Sequence, residues 1–328
     1  MQSSSVFVYN KFMSELFSTL PRSLRIGVLR GGPSHEYENS LLSGDNMLKV
    51  LSETHRPIDI FISEDGKWHI GGIERSPERI LKNVDVVWNG LHGTYGEDGG
   101  IQEILNHHGI KYTGSDRYAS SIAMNRWLTK EHAKILGIKT PVGVLVRSDD
   151  QLFSKAKEIF ESIPGPLAVK PAKWGYALGF YKADSFSELL NALEKILEKY
   201  DSAIVEEYIS GKHATCGIMD GFRGQKNYVL PISEFSSISN DFVYPTSFTD
   251  KQLREIEESA RKMHAGLGLK HYSMLDFVVS PRRGVYLLEI TTSPKISESS
   301  AWVNSLKAVG ASLKDFAHHT ISLALNRK

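Results

Sequence analysis

Only one cysteine, Cys216, occurs in 328 residues, so an intrachain disulfide is excluded and a thiolate metal cluster cannot form. A reducing, cytoplasmic setting is the expectation, with Cys216 a small buried residue. Charge of one sign is lacking as well: 39 Lys and Arg stand against 38 Asp and Glu. That balance excludes the strongly basic surface of a non-specific nucleic-acid binder, and no nucleic-acid partner is expected. Long apolar runs are missing too. In the first 23 residues Lys11 and Glu15 interrupt the one amphipathic stretch, so neither a signal peptide nor a membrane anchor is expected there. Residues 1–23 read as an extension before the fold, in which a short helix has room. Repeats and low-complexity segments are absent.

What is present is a chain about twice the usual single-domain length, which calls for two or three units with separate cores. Leu24 to Leu29 is a strand that ends in Arg30-Gly31-Gly32-Pro33 and leads to a helical face of Leu41, Met47, Leu48 and Leu51. Further strands are expected at Ile58 to Ser63, Val84 to Trp88 and Ile110 to Thr113, with a helix from Gly100 to His108. Such alternation favours a doubly wound parallel sheet, with ligands beyond the carboxyl ends of its strands. A helix from Asn125 to Leu136, capped by Gly137, opens a second unit. It holds strands at Val142 to Val146, Leu167 to Pro171 and Ala203 to Glu207, and helices at Asp149 to Ser162 and Ser185 to Lys199. The last third offers strands at Ala214 to Met219, Val229 to Ile232, Ser273 to Val279 and Val285 to Ile290, the final two joined by an Arg282-Arg283-Gly284 turn. Helices follow from Thr249 to Leu267 and from Ser312 to Leu325.

Two acids interrupt apolar strands: Asp276 in MLDFVV and Glu289 in YLLEI. A hairpin makes those strands antiparallel neighbours, so both carboxylates can point to one spot. Buried acids need partners, and converging hard oxygen ligands suit Mg²⁺ carrying nucleotide phosphate. A structural acid pair held by basic side chains fits the same pattern. Upstream, Lys170 ends an apolar strand before a loop with glycines at Gly175 and Gly179, an arrangement that can hold phosphates or serve as an ordinary turn.

The order of these pieces resembles a known family. GGPSHEYENSLLSG over Gly31–Gly44, LHGTYGEDG over Leu91–Gly99, YTGS from Tyr112 with ASSIAMN from Ala119, and LLEITTSP over Leu287–Pro294 resemble the successive motifs of the D-alanine–D-alanine ligase family, within the ATP-grasp superfamily. The likeness runs from about Leu24 to Ala324. It implies an α/β fold: an N-terminal doubly wound parallel-sheet domain (24–121), then a two-part ATP-grasp domain (122–211 and 212–328). It implies an ADP-forming ligase that joins two D-alanines, or similar small amino acids, through an acyl phosphate for peptidoglycan precursors, using ATP with Mg²⁺ or Mn²⁺. Small amino acids are then the partners, and a homodimer without membrane contact the assembly.

By position the resemblance gives Glu36 the first substrate's ammonium, His92 a place by its carboxylate, and Ser300 the second substrate's carboxylate. Tyr176 and Lys295 complete the catalytic set with Glu36 and Ser300. Arg126 and Lys170 would meet phosphate, Glu206, Glu207 and Ile209 line the adenine slot, and His213 reach the ribose. Asp276, Glu289 and Thr291 would hold the metal. Several of these depart from the family pattern: Met274 stands where the family has an arginine at the tetrahedral intermediate, Thr291 for an asparagine, Lys295 for a glycine, His213 for a glutamate and Arg126 for a lysine. Tyr176-Ala177 replaces a serine pair, and 234–249 lacks the tyrosine-lysine lid motif. The departures leave open a ligase for a different amino-acid or amine pair, or a nucleotide-binding homologue with weak or no ligase activity.

Overall fold

The computed structural model describes residues 20–21, 24–173, 179–236 and 241–327. The expected extension over 1–23 lies almost wholly outside them, and Tyr176 lies outside them altogether.

The first sheet has the order β4-β3-β2-β1-β5. Strands β1 (Arg25–Gly31), β2 (Arg56–Ile62) and β5 (Val86–Asn89) are parallel, as the alternation of strands and helices predicts. The sheet departs from that expectation at its edge, where β3 (Trp68–Ile70) and β4 (Ile73–Glu74) form an antiparallel hairpin. Gly71 and Gly72, both at positive φ, make its two-residue turn. The strand expected at Ile110 to Thr113 shrinks to one bridge, Val87 to Tyr112. Helix α1 (Tyr37–Ser52) lies so close to β1 that a Cβ on Gly44 would sit 2.4 Å from that of Arg30. Ser40 fixes the crossing: its hydroxyl accepts from Gly31 N and donates to Gly90 O. Helices α2 (Pro77–Leu81) and α3 (Gly100–His107) complete this unit.

Two helices follow, α4 (Arg117–Met124) and α5 (Arg126–Ile135). Asn125 ends the first and caps the second, its side chain accepting from Trp127 N and Leu128 N. The second sheet is antiparallel, order β6-β9-β7-β8, from β6 (Gly143–Arg147), β7 (Leu167–Pro171), β8 (Tyr181–Ala183) and β9 (Ser202–Glu207). Helices α6 (Leu152–Ser162) and α7 (Phe186–Leu197) cover it, and a Ser185–Glu188 capping box starts α7.

The third sheet is also antiparallel, order β13-β12-β10-β14-β15 with β11 against β10. Its strands are β10 (Lys212–Asp220), β11 (Asn227–Val229), β12 (Ser233–Ser236), β13 (Asp241–Val243), β14 (Tyr272–Ser280) and β15 (Gly284–Thr291). Helix α8 (Asp250–Gly266) packs on it, and α9 (Ala301–Ala308) and α10 (Leu313–Leu325) close the chain. Cys216 is fully buried in β10.

Packing ties these units unequally. One apolar cluster joins Ile26, Val28 and Trp88 of the first sheet to Tyr272, Trp302 and Phe316 of the last third. Ala119, Ala123, Ala133 and Ile138 sink into the third sheet's core beside Leu275 and Leu287. The second sheet keeps a core of its own around Val146, Ile159, Leu193 and Val205.

Candidate active site

The β14–β15 register sets Asp276 opposite Glu289, and the pairing shifts just beyond, between Asp276 and Phe277. This bulge interrupts the alternation of β15, so Leu288 and Glu289 both line the same cavity. That cavity, about 400 Å³, lies between the second and third sheets, with Arg126, Lys170, His213, Asp276 and Glu289 as its titratable lining. Phe180, Phe235 and Phe242 supply aromatic wall.

Thr215 Oγ1 donates to Asp276 Oδ1 at 2.5 Å, and Arg126 Nη2 donates to Glu289 Oε2 at 2.9 Å. The second oxygen of each carboxylate has no protein donor among the described residues. Burial, and then the neighbouring Glu289, push Asp276 up to about 7. Burial works on Glu289 in the same direction, but Arg126 and Lys170 outweigh it and hold that carboxyl below the usual range. Two adjacent acids, each with an oxygen left over, fit a divalent cation. No group of three His, Cys, Asp or Glu among the described residues could hold a metal unaided. A metal here would need other ligands, as Mg²⁺ takes from phosphate and water.

Glu206 lies beneath the cavity, 2% exposed. Lys130 Nζ stands 2.6 Å from its Oε2 and Lys170 Nζ contacts its Oε1. Burial opposes its charge, yet the two lysines keep its carboxyl below the usual range. Glu206 therefore positions Lys170, and it is not part of the lining of the 400 Å³ cavity.

A second cavity of about 270 Å³ shares Phe242 and Met274 with the first and is lined by Lys295, Ser297, Ser299 and Ser300. Ser300 also caps α9: its hydroxyl accepts from Val303 N and donates to Ser297 O. Glu36, 5% exposed at the start of α1, has its Oε2 3.7 Å from Lys295 Nζ. Burial raises the Glu36 carboxyl and lowers the Lys295 ammonium.

His92 is buried with both ring nitrogens engaged. A carbonyl can only accept, so Nδ1 donates to Ser293 O at 2.9 Å and Nε2 accepts from Ser43 Oγ at 2.7 Å. Burial lowers its pKa to about 4, leaving the ring neutral. Both nitrogens are bonded to protein, so His92 ties Ser43 of α1 to the 293–296 loop. Glu97 braces the same loop, accepting from Gly93 N, Thr292 N and Ser293 N at 2.8–3.0 Å.

Like Glu36, His92 and Glu206, three more expected residues line neither of these cavities. The Glu207 carboxylate is taken by Arg283, at 2.7 and 3.0 Å, and by Val142 N. Ile209 packs with Val278 and Tyr286. Thr291 pairs with Met274 in the ladder and lines neither cavity. Sequence reasoning missed Lys130 and Thr215, whose types carry no signal until folding supplies a partner, and it missed Ser43 and Glu97 although quoted motifs contain them.

Comparison with known proteins gives the family. The family described as "D-ala D-ala ligase C-terminus" matches residues 133–322, and "D-ala D-ala ligase N-terminus" matches 72–115. A D-alanine–D-alanine ligase of Fervidobacterium nodosum is 33% identical, covering 92% of this chain and 99% of its own. One of Thermotoga petrophila is 32% identical, covering 89% and 94%. Among solved structures, the D-alanine–D-alanine ligase of Coxiella burnetii superposes with a TM-score of 0.84 at 22% identity, covering 94% of this chain and 95% of its own. The VanG D-Ala:D-Ser ligase of Enterococcus faecalis gives 0.79 at 25% identity, covering 92% and 100%. The chain has the ATP-grasp fold of these enzymes and belongs to the D-alanine–D-alanine ligase family.

Proposed function

We propose that this protein is an ADP-forming ligase that joins two D-alanines, or similar small amino acids, for peptidoglycan precursor synthesis. The observation that carries the reading is the pair of adjoining cavities: Arg126, Lys170, Asp276 and Glu289 gather in one, Lys295 and Ser300 in the other, with Met274 and Phe242 between them. The γ-phosphoryl group of ATP passes to a carboxylate oxygen of the first amino acid, releasing ADP. The amine of the second attacks that carbonyl carbon, the C–O bond to phosphate breaks, and an amide remains.

In this reading Arg126 and Lys170 offset phosphate charge, while Asp276 and Glu289 hold Mg²⁺ or Mn²⁺, which supplies charge neutralisation at the transferring phosphoryl group. Glu206 steadies Lys170, and His213 faces the nucleotide. Glu36 accepts the first substrate's ammonium, Ser300 receives the second substrate's carboxylate, and Lys295 stands by the developing oxyanion. Tyr176 keeps its place in the catalytic set on the resemblance alone. The reading assigns 24–121 to amino-acid binding, and 122–211 and 212–328 to the two parts that hold the nucleotide between them, the last also carrying Lys295 and Ser300. A cytoplasmic homodimer completes it.

Met274 favours a second reading. An apolar side chain on the shared wall offers no charge to a tetrahedral intermediate, which suits a slower ligase or one for a different amino-acid or amine pair. The test is ADP and phosphate release from ATP and Mg²⁺ across a panel of D- and L-amino acids. Release with D-alanine, and D-alanyl-D-alanine as product, is expected. Release with another amino acid alone selects the second reading, and release with none overturns both.

A further inference from the structure

Glu36 and Lys295 are matched in charge yet not closed on one another. Their 3.7 Å separation exceeds the roughly 2.7–2.9 Å of a charge-assisted hydrogen bond. Asn39 Nδ2 reaches the same carboxylate oxygen only at 3.5 Å, and Glu36 Oε1 is buried with no hydrogen-bond partner among the described residues. Elsewhere in the molecule a buried Lys–Glu pair stands closer: Lys130 Nζ is 2.6 Å from Glu206 Oε2. A buried acceptor without a donor is costly, so the Glu36 site is one that a cationic group would complete.

The neighbours narrow the choice. Glu97 is spent on three backbone N–H donors, which leaves Glu36 to accept an ammonium. His92 is neutral with both nitrogens bonded to protein, and Met274 is apolar, so neither offers a cation to a carboxylate. Among the described residues that line the 270 Å³ cavity, Lys295 is the one cation. Its side chain keeps 24% of its surface exposed, which leaves it room to swing.

We propose that Glu36 and Lys295 form a two-ended clamp for the first amino acid, Glu36 taking the α-ammonium and Lys295 the α-carboxylate. The substrate's own zwitterion sets an ammonium on the Glu36 carboxylate and a carboxylate on the Lys295 ammonium. Lys295 thereby selects for a free carboxylate before any chemistry, which deepens the ligase reading and rests on it.

Calorimetry on the full-length protein, saturated with a non-hydrolysable ATP analogue and Mg²⁺, tests the clamp with D-alanine, D-alaninamide and D-lactate. Wild type should bind D-alanine at least about 10-fold tighter than either analogue, the worth of one charged hydrogen bond. Lys295→Met should bind D-alanine on the order of 10-fold more weakly and lose the preference over D-alaninamide, while Lys295→Arg keeps most of both. Lys295→Gln repeats the test should the Met variant not fold. Unchanged or tighter D-alanine binding in Lys295→Met, or an intact preference over the amide, overturns the clamp, as does absence of D-alanine binding to wild type. Phosphate release with D-alanine and ATP is read separately: if the binding pattern holds but no phosphate appears, the ligase reading fails while the clamp stands.

Discussion

Two seams run through this molecule, and they are built from opposite materials. Between the first sheet and the last third of the chain the contact is mainly an apolar core with neutral histidines, beside which stand the ion pairs Glu36–Lys295 and Glu53–Lys314. A shared core joins them, and hydrogen bonds from His92 to Ser293 O, Gly114 N to His271 Nδ1, and between Thr54 and His318 stitch its edges. Between the second sheet and its surroundings the contact is ionic: Lys130 with Glu206, Arg283 with Glu207, and Arg126 reaching both Pro171 O and Glu289. Among the described residues, none in the second sheet's core cluster comes from outside that unit. An apolar seam is non-directional and holds by area, whereas an ionic one can exchange partners with a charged ligand. The 400 Å³ cavity lies in the ionic seam, and the apolar seam braces the side that carries Glu36.

Breaking the ionic seam at its most buried point should have the largest effect. Glu206→Leu leaves Lys130 and Lys170 facing each other without a counter-ion, and should cost about 3–5 kcal/mol of stability in urea unfolding. A loss below about 1 kcal/mol would mean that the seam contributes little. Next is Glu289→Gln, which should slow phosphoryl transfer on the order of 10²- to 10³-fold and remove thermal stabilisation by ATP and Mg²⁺, with the ligand-free midpoint held. Undiminished stabilisation by ATP would show the metal assignment to be wrong.

Acid should loosen the neutral seam instead. Burial lowers His92 and His318 to about 4 and His271 to about 3, against an ordinary 6.5. Below 6.5 the unfolded chain binds protons that the folded one refuses, so the contribution present above 6.5 is lost as pH falls toward 4. Each ring can add up to about 1.4 kcal/mol per pH unit, and His318→Asn should flatten the slope between pH 6 and 4.5. A slope equal to wild type would remove His318 from the seam's pH response. Smallest of all should be Arg283→Ala. That pair is half exposed on the arginine side, so about 0.2–1 kcal/mol is expected, shrinking further in high salt.

The two seams also differ in how far the sequence reveals them. Asp276 and Glu289 are legible because a charge inside an apolar strand is costly and a hairpin turn fixes who faces whom, but the bulge that turns Leu288 and Glu289 to one side leaves no mark in the residues. Lys170 is legible at its strand end. Its partner Lys130 looks like any solvated lysine on a helix, since periodicity says which face is polar and not what lies opposite. Glu207, Ile209 and Thr291 carry the family's positions without reaching the cavities, because Arg283, the Tyr286 cluster and the strand ladder claim them. The β3–β4 hairpin and strands β12 and β13 are too short for alternation to register, and α9 escapes notice as well. That α10 packs against the first sheet is a contact between chain ends which no local pattern encodes.

Cys216 sits at the centre of β10 with its thiol fully buried, and burial pushes its pKa up, away from the reactive thiolate. The protein is therefore a near-silent background for maleimide chemistry. Reporter cysteines placed at exposed Phe160 on α6 and exposed Ile73 in the first unit could carry a fluorophore pair without removing the native thiol. Energy transfer between them would read, in real time, how far the ionic seam closes when nucleotide binds.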